Sequence, residues 1–239
     1  MSVRGKPTEL PVMAFLRTSY PGMPLAQVDS LFGFVERCTL YGGRFFRVPQ
    51  LTDADVQAMY EHQIGVRIPL TNHTVDEDEY TSYAWLFDKY HLAGNAVIVT
   101  NDKLARWIRR DYPLYRIEAS VIKEIDSHDK IDRALELYDT VVLPMRINQD
   151  EDFLLAIGEK SRITLFANAG CALTCPSKIC YPSVSKANKI GSPAKLLCSV
   201  PFKARDALGM IDFDLDHLGT LGFSRFKMLR ERPGGGSGY

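Results

Sequence analysis

The sequence lacks any long hydrophobic run. No stretch approaches the roughly 20 apolar residues that span a bilayer, and no apolar signal core follows the charges of Met1-Ser-Val-Arg-Gly-Lys-Pro7. Both absences predict a cytoplasmic protein with no membrane partner. A surplus of charge is also missing: 29 Lys and Arg balance 29 Asp and Glu. That balance argues against strong non-specific attachment to nucleic acid, while a local basic patch stays open. Histidine is scarce, at five residues, and no His-Glu-x-x-His pattern supports a zinc peptidase site. Without a Gly-x-Ser-x-Gly elbow, a Ser-His-Asp triad cannot be argued. Neither a Gly-x-Gly-x-x-Gly turn nor a phosphate-binding Gly-x-x-x-x-Gly-Lys-Ser/Thr loop is present, which weighs against an open dinucleotide-binding sheet.

What is present suits one large domain. The chain has 239 residues, of which 46% are hydrophobic and 24% charged, so a core of ordinary size can be buried. Residues 1–231 read as one barrel-like domain, and the glycine-rich 232–239 as a flexible tail. Strand-like and helix-like segments alternate. Strands are predicted at Pro11–Leu16, Cys38–Tyr41, Gly65–Leu70, Ala96–Thr100, Tyr115–Ser120, Thr140–Pro144, Arg162–Ala167 and Ser224–Leu229. Helices are predicted at Leu25–Val35, after the N-cap Thr52, from Asp76 to His91, after the cap Asn101, and at Asp129–Leu137, Asp150–Ile157 and Leu215–Leu221. Met210–Phe213 reads as a short extended piece, and Pro69 should end or bulge the third strand. Eight βα units with short connections predict parallel strands and an α/β fold of the TIM-barrel-like (β/α)8 class, distorted or incomplete. Its active site would lie on the loops after the strand C-termini. An open doubly wound sheet is the alternative.

Four of the five cysteines crowd one window after the seventh strand, in Cys171-x3-Cys175-x4-Cys180 with Cys198 beyond. In a reducing compartment such a cluster points to a metal rather than to disulfides. Thiolates are soft ligands for iron–sulfur clusters, zinc or copper(I). A 4Fe-4S cluster needs four converging ligands, and Cys198 would be the fourth; a zinc staple and free thiols remain alternatives. Cys38 reads as a small buried hydrophobe.

Several polar residues stand where barrel strands should end: Asn72, His73, Asn101, Asp102, Glu118, Ser120, Arg146, Asn148 and Asn168. Glu118 is the best candidate for a general acid/base, with pairing to a neighbouring Arg or Lys inside the barrel as the plainer reading. Asn101 also reads as a cap, and His73 as a solvated loop residue. Lys123 and Glu124 follow on the next loop. Arg225 and Lys227 alternate on the last strand and are expected to face the mouth together, where they could hold an anionic group; a charged strand edge is the other reading. Lys178, Lys186, Lys189, Lys195 and Lys203 make the cysteine region basic, which suits either an anionic or RNA-derived substrate or the neighbourhood of an anionic cluster.

The chain resembles the collagenase-like peptidase family, the thirty-second among the unclassified peptidases. The resemblance is carried by Cys38-Thr-Leu-Tyr-Gly-Gly-Arg-Phe-Phe46, by Leu51-Thr-Asp-Ala-Asp-Val56 through Gly65-Val-Arg-Ile-Pro-Leu-Thr-Asn72, by Glu118-Ala-Ser120, by Asn168 to Tyr181 and by Gly222-Phe-Ser-Arg-Phe-Lys-Met-Leu-Arg230. It implies a barrel domain. Several members hold a four-iron cluster and hydroxylate ubiquinone precursors or RNA bases without oxygen, while others are described as peptidases. The cysteine spacing here is tighter than in the hydroxylating members, which leaves the fourth ligand open. The chain also ends near the closing strand, whereas longer members carry a further C-terminal domain. Three readings follow: an iron–sulfur oxidoreductase or hydroxylase using Glu118, Arg225 and Lys227; a peptidase; and a non-catalytic partner subunit with a structural metal. A homodimer is compatible with each.

Overall fold

A computed structural model describes residues 1–6, 9–175, 177–192, 196–200 and 210–229. In chain order the strands are β1 (Ser2–Arg4), β2 (Ser30–Phe32), β3 (Gly65–Leu70), β4 (Ala96–Val99), β5 (Arg116–Ala119), β6 (Thr140–Val142), β7 (Ile163–Phe166), β8 (Asn168–Ala169), β9 (Ile211–Asp212) and β10 (Arg225–Met228). Eight of them form a closed barrel in the order β1-β10-β7-β6-β5-β4-β3-β2, every neighbouring pair parallel. β8 and β9 make a separate antiparallel pair just beyond β7. The helices are α1 (Val12–Ser19), α2 (Asp53–Glu61), α3 (Glu77–Ser82), α4 (Ala84–Lys89), α5 (Asp102–Asp111), α6 (His128–Leu135), α7 (Glu151–Leu155), α8 (Cys180–Ile190) and α9 (Leu215–Thr220).

The barrel class is as the sequence predicts, but its first two strands are not the predicted ones. Pro11–Leu16 is not a strand: Val12, Phe15 and Leu16 bury one face of α1, and a short apolar run does not distinguish a strand from a helix by period. Leu25–Val35 is not a helix; it holds a single 3-10 turn at Leu25–Gln27 and then β2. Cys38–Tyr41 is a loop fastened by side-chain amides. Asn72 Nδ2 donates to the carbonyls of Thr39 (2.9 Å), Tyr41 (3.0 Å) and Ser185 (3.0 Å). Asn188 Nδ2 donates to those of Tyr41 (3.0 Å) and Arg44 (2.9 Å). Gly42 follows because its backbone lies directly against the Thr71 carbonyl, where a Cβ would collide.

The remaining strands and caps fall close to expectation. Thr52 and Asp55 form a reciprocal capping box. Asp55 also accepts from Val12 N at 2.9 Å and pairs with buried Lys6 at 3.0 Å, which joins α2 to the start of α1. The predicted helix from Asp76 to His91 is split into α3 and α4 at Tyr83. β3 runs through Pro69 to Leu70 without the expected break. Arg67, on the same side of the strand two residues earlier, gives its carbonyl to Gly33 N on the β2 side. By Pro69 that neighbour has ended, so no ladder partner misses the absent donor. The predicted tail lies outside the described residues.

Two cores result. Val3, Leu31, Val66, Val97, Ile117, Val141 and Leu165 pack outward beneath the helices. A small second cluster of Phe32, Ile98, Val142, Met145, Phe166, Ala169 and Leu229 fills the upper lumen. Below it the lumen is charged. Glu118 on β5 bonds Arg67 Nη1 of β3 at 2.6 Å and Lys227 Nζ of β10 at 3.2 Å. Strands β4, β6 and β7 lie between these partners, so both bonds cross the interior. All three residues are at most 6% exposed. Removing one member of a buried ion pair leaves its partners uncompensated, at a cost of about 3–5 kcal/mol. Glu118→Gln should therefore lower unfolding free energy by about that amount; a loss below about 1 kcal/mol in a denaturant titration would mean that the bridge contributes no more than a surface pair.

Candidate functional site

A cavity of about 90 Å³ opens at the strand C-terminal end of the barrel. Its floor is Phe32, Ile98 and Phe166. Its cations are Arg4, Arg44 and Lys227, and Tyr181 leans in from the cysteine segment. Among the described residues no carboxylate lines it. Lys227 Nζ lies 4.4 Å from the Phe32 ring centre, and the Arg44 guanidinium 4.8 Å from that of Phe34. Burial pulls the Lys227 ammonium below its ordinary range, against the opposing pull of Glu118. For Glu118, burial alone would push the carboxyl up; Lys227 and Arg67 outweigh it and hold it below the usual carboxylate range. Glu118 is thus an ionised counterion inside the barrel, the plainer of its two readings, rather than a group reaching into the mouth.

The expectation that Arg225 and Lys227 face the mouth together fails for Arg225. It is the first residue of β10 and lines a different cavity at the opposite, strand N-terminal end, with Asp29 and Arg67. Both side chains enter the lumen, but the strand's rise carries them to different ends. Asn72 and Asn168 also serve the scaffold. Asn168 exchanges two 2.8 Å hydrogen bonds with the Leu229 backbone, which extends the β7–β10 contact past the ladder. Asn148 Nδ2 donates to Phe166 O at 2.7 Å. Asn101 accepts from Lys103 N and Leu104 N as the α5 cap. Ser120 accepts from Ile122 N and lines the mouth. Asp102 accepts from Lys123 and Tyr138, away from the mouth lining.

The cysteines stand beside this mouth. Cys171 and Cys175 lie on the turn after β8, Cys180 is the first residue of α8, and Cys198 follows that helix; none is in a disulfide. Burial pushes the Cys180 thiol up to about 11, and nearby Cys175, Cys198 and Cys171 add to the shift. Cys175 goes the other way. Burial would raise it, but the Ser199 hydroxyl at 3.1 Å and the backbone amides of Lys178 and Ser177 bring it below its ordinary value. The four thiols therefore share one neighbourhood. Even so, among the described residues no three His, Cys, Asp or Glu side chains stand in a metal-binding arrangement. In kind and vicinity the donors suit a thiolate-bound metal, and binding it would require the loop to draw them together. Cys38 is apart from them, 2% exposed and pushed up to about 12 by burial. Lys195 and Lys203 lie outside the described residues.

An ion-pair chain fastens the cysteine segment to the barrel rim. Lys178 Nζ bonds Glu124 Oε1 at 2.6 Å, Glu124 Oε2 bonds Arg146 at 2.7 Å, and Arg146 bonds Asp126 at 2.6 Å. Glu124 and Lys178 both hold left-handed backbone, with φ of 49° and 46°. The sequence reading missed Arg67 and this use of Glu124. A charged residue inside the otherwise apolar run Gly65–Leu70 is the signal that could have revealed Arg67. His73 Nδ1 meets Ser185 Oγ at 2.9 Å, and burial lowers the His73 pKa; neither residue lines the mouth.

No family model matches the chain, and no curated protein matches it. A solved structure described as the U32 peptidase Mk0906 is similar in fold, with a TM-score of 0.67 at 12% identity, covering 97% of this chain and 92% of that one. At this identity the likeness speaks for the barrel alone. Because the Glu124–Lys178 pair is partly exposed, Glu124→Gln should change global stability by less than about 1 kcal/mol. It should also speed alkylation of Cys180 severalfold, as read by mass spectrometry; an unchanged rate would show that the pair does not fasten the segment.

Proposed function

We propose that this chain is an iron–sulfur protein performing redox, oxygen-independent hydroxylation-type chemistry on an anionic small-molecule or nucleic-acid-derived substrate in the barrel mouth. The observation that carries the reading is the meeting of two features. Four free thiols share one neighbourhood after β8, and Tyr181, next to Cys180, lines a cavity with three cationic residues and, among the described residues, no carboxylate. Cys171, Cys175, Cys180 and Cys198 would hold the cluster, with zinc as the alternative occupant. When bound, such a cluster supplies one-electron transfer. The chain's own residues attract and orient the substrate. Lys227 and Arg44 draw its anionic group, the aromatic floor takes its apolar body, and Glu118 keeps Lys227 fixed from below.

A peptidase is the second reading, favoured by the His73–Ser185 contact. Among the described residues the histidine has no acidic partner, and neither His73 nor Ser185 lines the mouth.

Purification without oxygen, followed by iron and sulfide analysis, tests the first reading. About four irons and four sulfides per chain are expected, with broad thiolate-to-iron absorbance at about 400 nm that is lost in Cys175→Ser. Zinc without sulfide would leave a structural metal site. Peptide hydrolysis that survives Cys175→Ser and disappears in Ser185→Ala would replace the redox reading with the hydrolytic one.

A further inference from the structure

At the end of the barrel opposite the mouth, a cavity of about 150 Å³ is lined by Ser2, Asp29, Arg67, Thr164, Ser224 and Arg225, with Met1 and Phe226 beside them. All six lie at or before strand starts or in the first turns of strands, so the chamber is separate from the loops that carry the cysteines. Two of its polar atoms, Ser2 Oγ and Arg225 Nε, are buried with no hydrogen-bond partner among the described residues. Ser2 is 4% exposed. Leaving two donors unsatisfied in one small polar chamber is costly unless something occupies it.

The charges indicate what that something is. Arg225 has Arg67 and Arg116 as its foremost charged neighbours, both cationic, ahead of Asp29 and Glu118. The two carboxylates are already engaged. Asp29 accepts from Arg67 Nη2 at 3.0 Å and from Ser30 Oγ at 3.1 Å. Glu118 is divided between Arg67 and Lys227. Three guanidiniums and two ammoniums, those of Lys227 and the Met1 terminus, thus outnumber two carboxylates, and the surplus lies on the Arg225 side. Water would satisfy the free donors but would not relieve that surplus. An oxyanion does both, and guanidinium geometry matches its oxygens. We infer that this chamber binds a small tetrahedral oxyanion, as free phosphate or as the phosphoryl group of a small phosphomonoester, with Arg225 Nε and Ser2 Oγ donating to it.

The test is a titration of the full chain with inorganic phosphate at constant ionic strength, following the unfolding temperature, with chloride as control and glycerol phosphate as a second arm. A saturable rise with phosphate and none with chloride is expected. A comparable rise with glycerol phosphate identifies a phosphoryl ligand, and a rise with inorganic phosphate alone identifies the free ion. Arg225→Gln should weaken phosphate binding by about 10- to 100-fold, as for a lost charge-assisted bond, and Ser2→Ala by about fivefold. If Arg225→Gln does not fold, Ser2→Ala decides. A phosphate response no larger than that of chloride, or equal phosphate affinity in the wild type and Ser2→Ala, overturns the proposal.

Discussion

The carboxylate of Glu118 spans the lumen between Arg67 and Lys227, and the interior of this barrel is organised around it. Barrels of this class ordinarily fill their interior with layers of branched aliphatic side chains. Here the aliphatic side chains are mostly on the outer face, packed under the helices, and the lower lumen carries charge. A buried ion pair of this kind is seldom a better source of stability than an apolar filling of the same volume. Its presence is better explained by what it presents at its two ends. Lys227 rises from it into the mouth, and Arg67 leads from it to the lower chamber with Arg225 and Asp29. One carboxylate thus supports cationic surfaces at opposite ends of the molecule.

Protonation of Glu118 would break that arrangement, and the sign follows from the direction of its shift. Its folded pKa lies below its ordinary value. Its contribution is therefore fully present above the unfolded carboxylate pKa of about 4.3 and is lost as pH falls through the lower folded value. Asp29 and Asp55 shift the same way, each with burial opposing and an Arg or backbone bond prevailing. Each of these acids is thus held in its ionised form more firmly than a free carboxylate.

The architecture was readable where the period was long or the run strongly apolar. Gly65–Leu70, Ala96–Val99 and Ile163–Phe166 are apolar strands apart from Arg67 and Thr164, and they appear within a residue or so of their predicted bounds. The first two strands were not readable, because Ser2–Arg4 and Ser30–Phe32 are three residues long and turn Ser2, Arg4 and Ser30 inward, where aliphatics are expected. Pro11–Leu16 and Cys38–Tyr41 read as strands in their place, but their apolar residues serve a helix and an amide-pinned loop. The site was legible in part for a related reason. Residue type indicated Lys227 and Glu118, but a two-residue step along β10 separates the mouth from the opposite end, and only the closed register reveals that Arg225 belongs to the latter.

The cysteine segment joins an anchored helix to the turn that precedes it. Cys180 opens α8, and that helix is anchored. Ser185 and Asn188 tie it to Asn72 and to the loop around Tyr41, and Lys189 pairs with Glu79. Cys171 and Cys175 sit on the turn after β8, where Cys175 N donates to Cys171 O at 3.1 Å, and the Lys178–Glu124 pair holds the chain two residues before Cys180. An inorganic centre would therefore find one thiol on an anchored helix, next to Tyr181 of the mouth lining, and two on the turn that precedes it. Because metal binding releases free energy comparable with the folding of a small domain, drawing those thiols toward Cys180 is well within its reach. The anchored helix, more than the spacing of the cysteines, is what would direct the resulting site at the barrel mouth rather than at solvent.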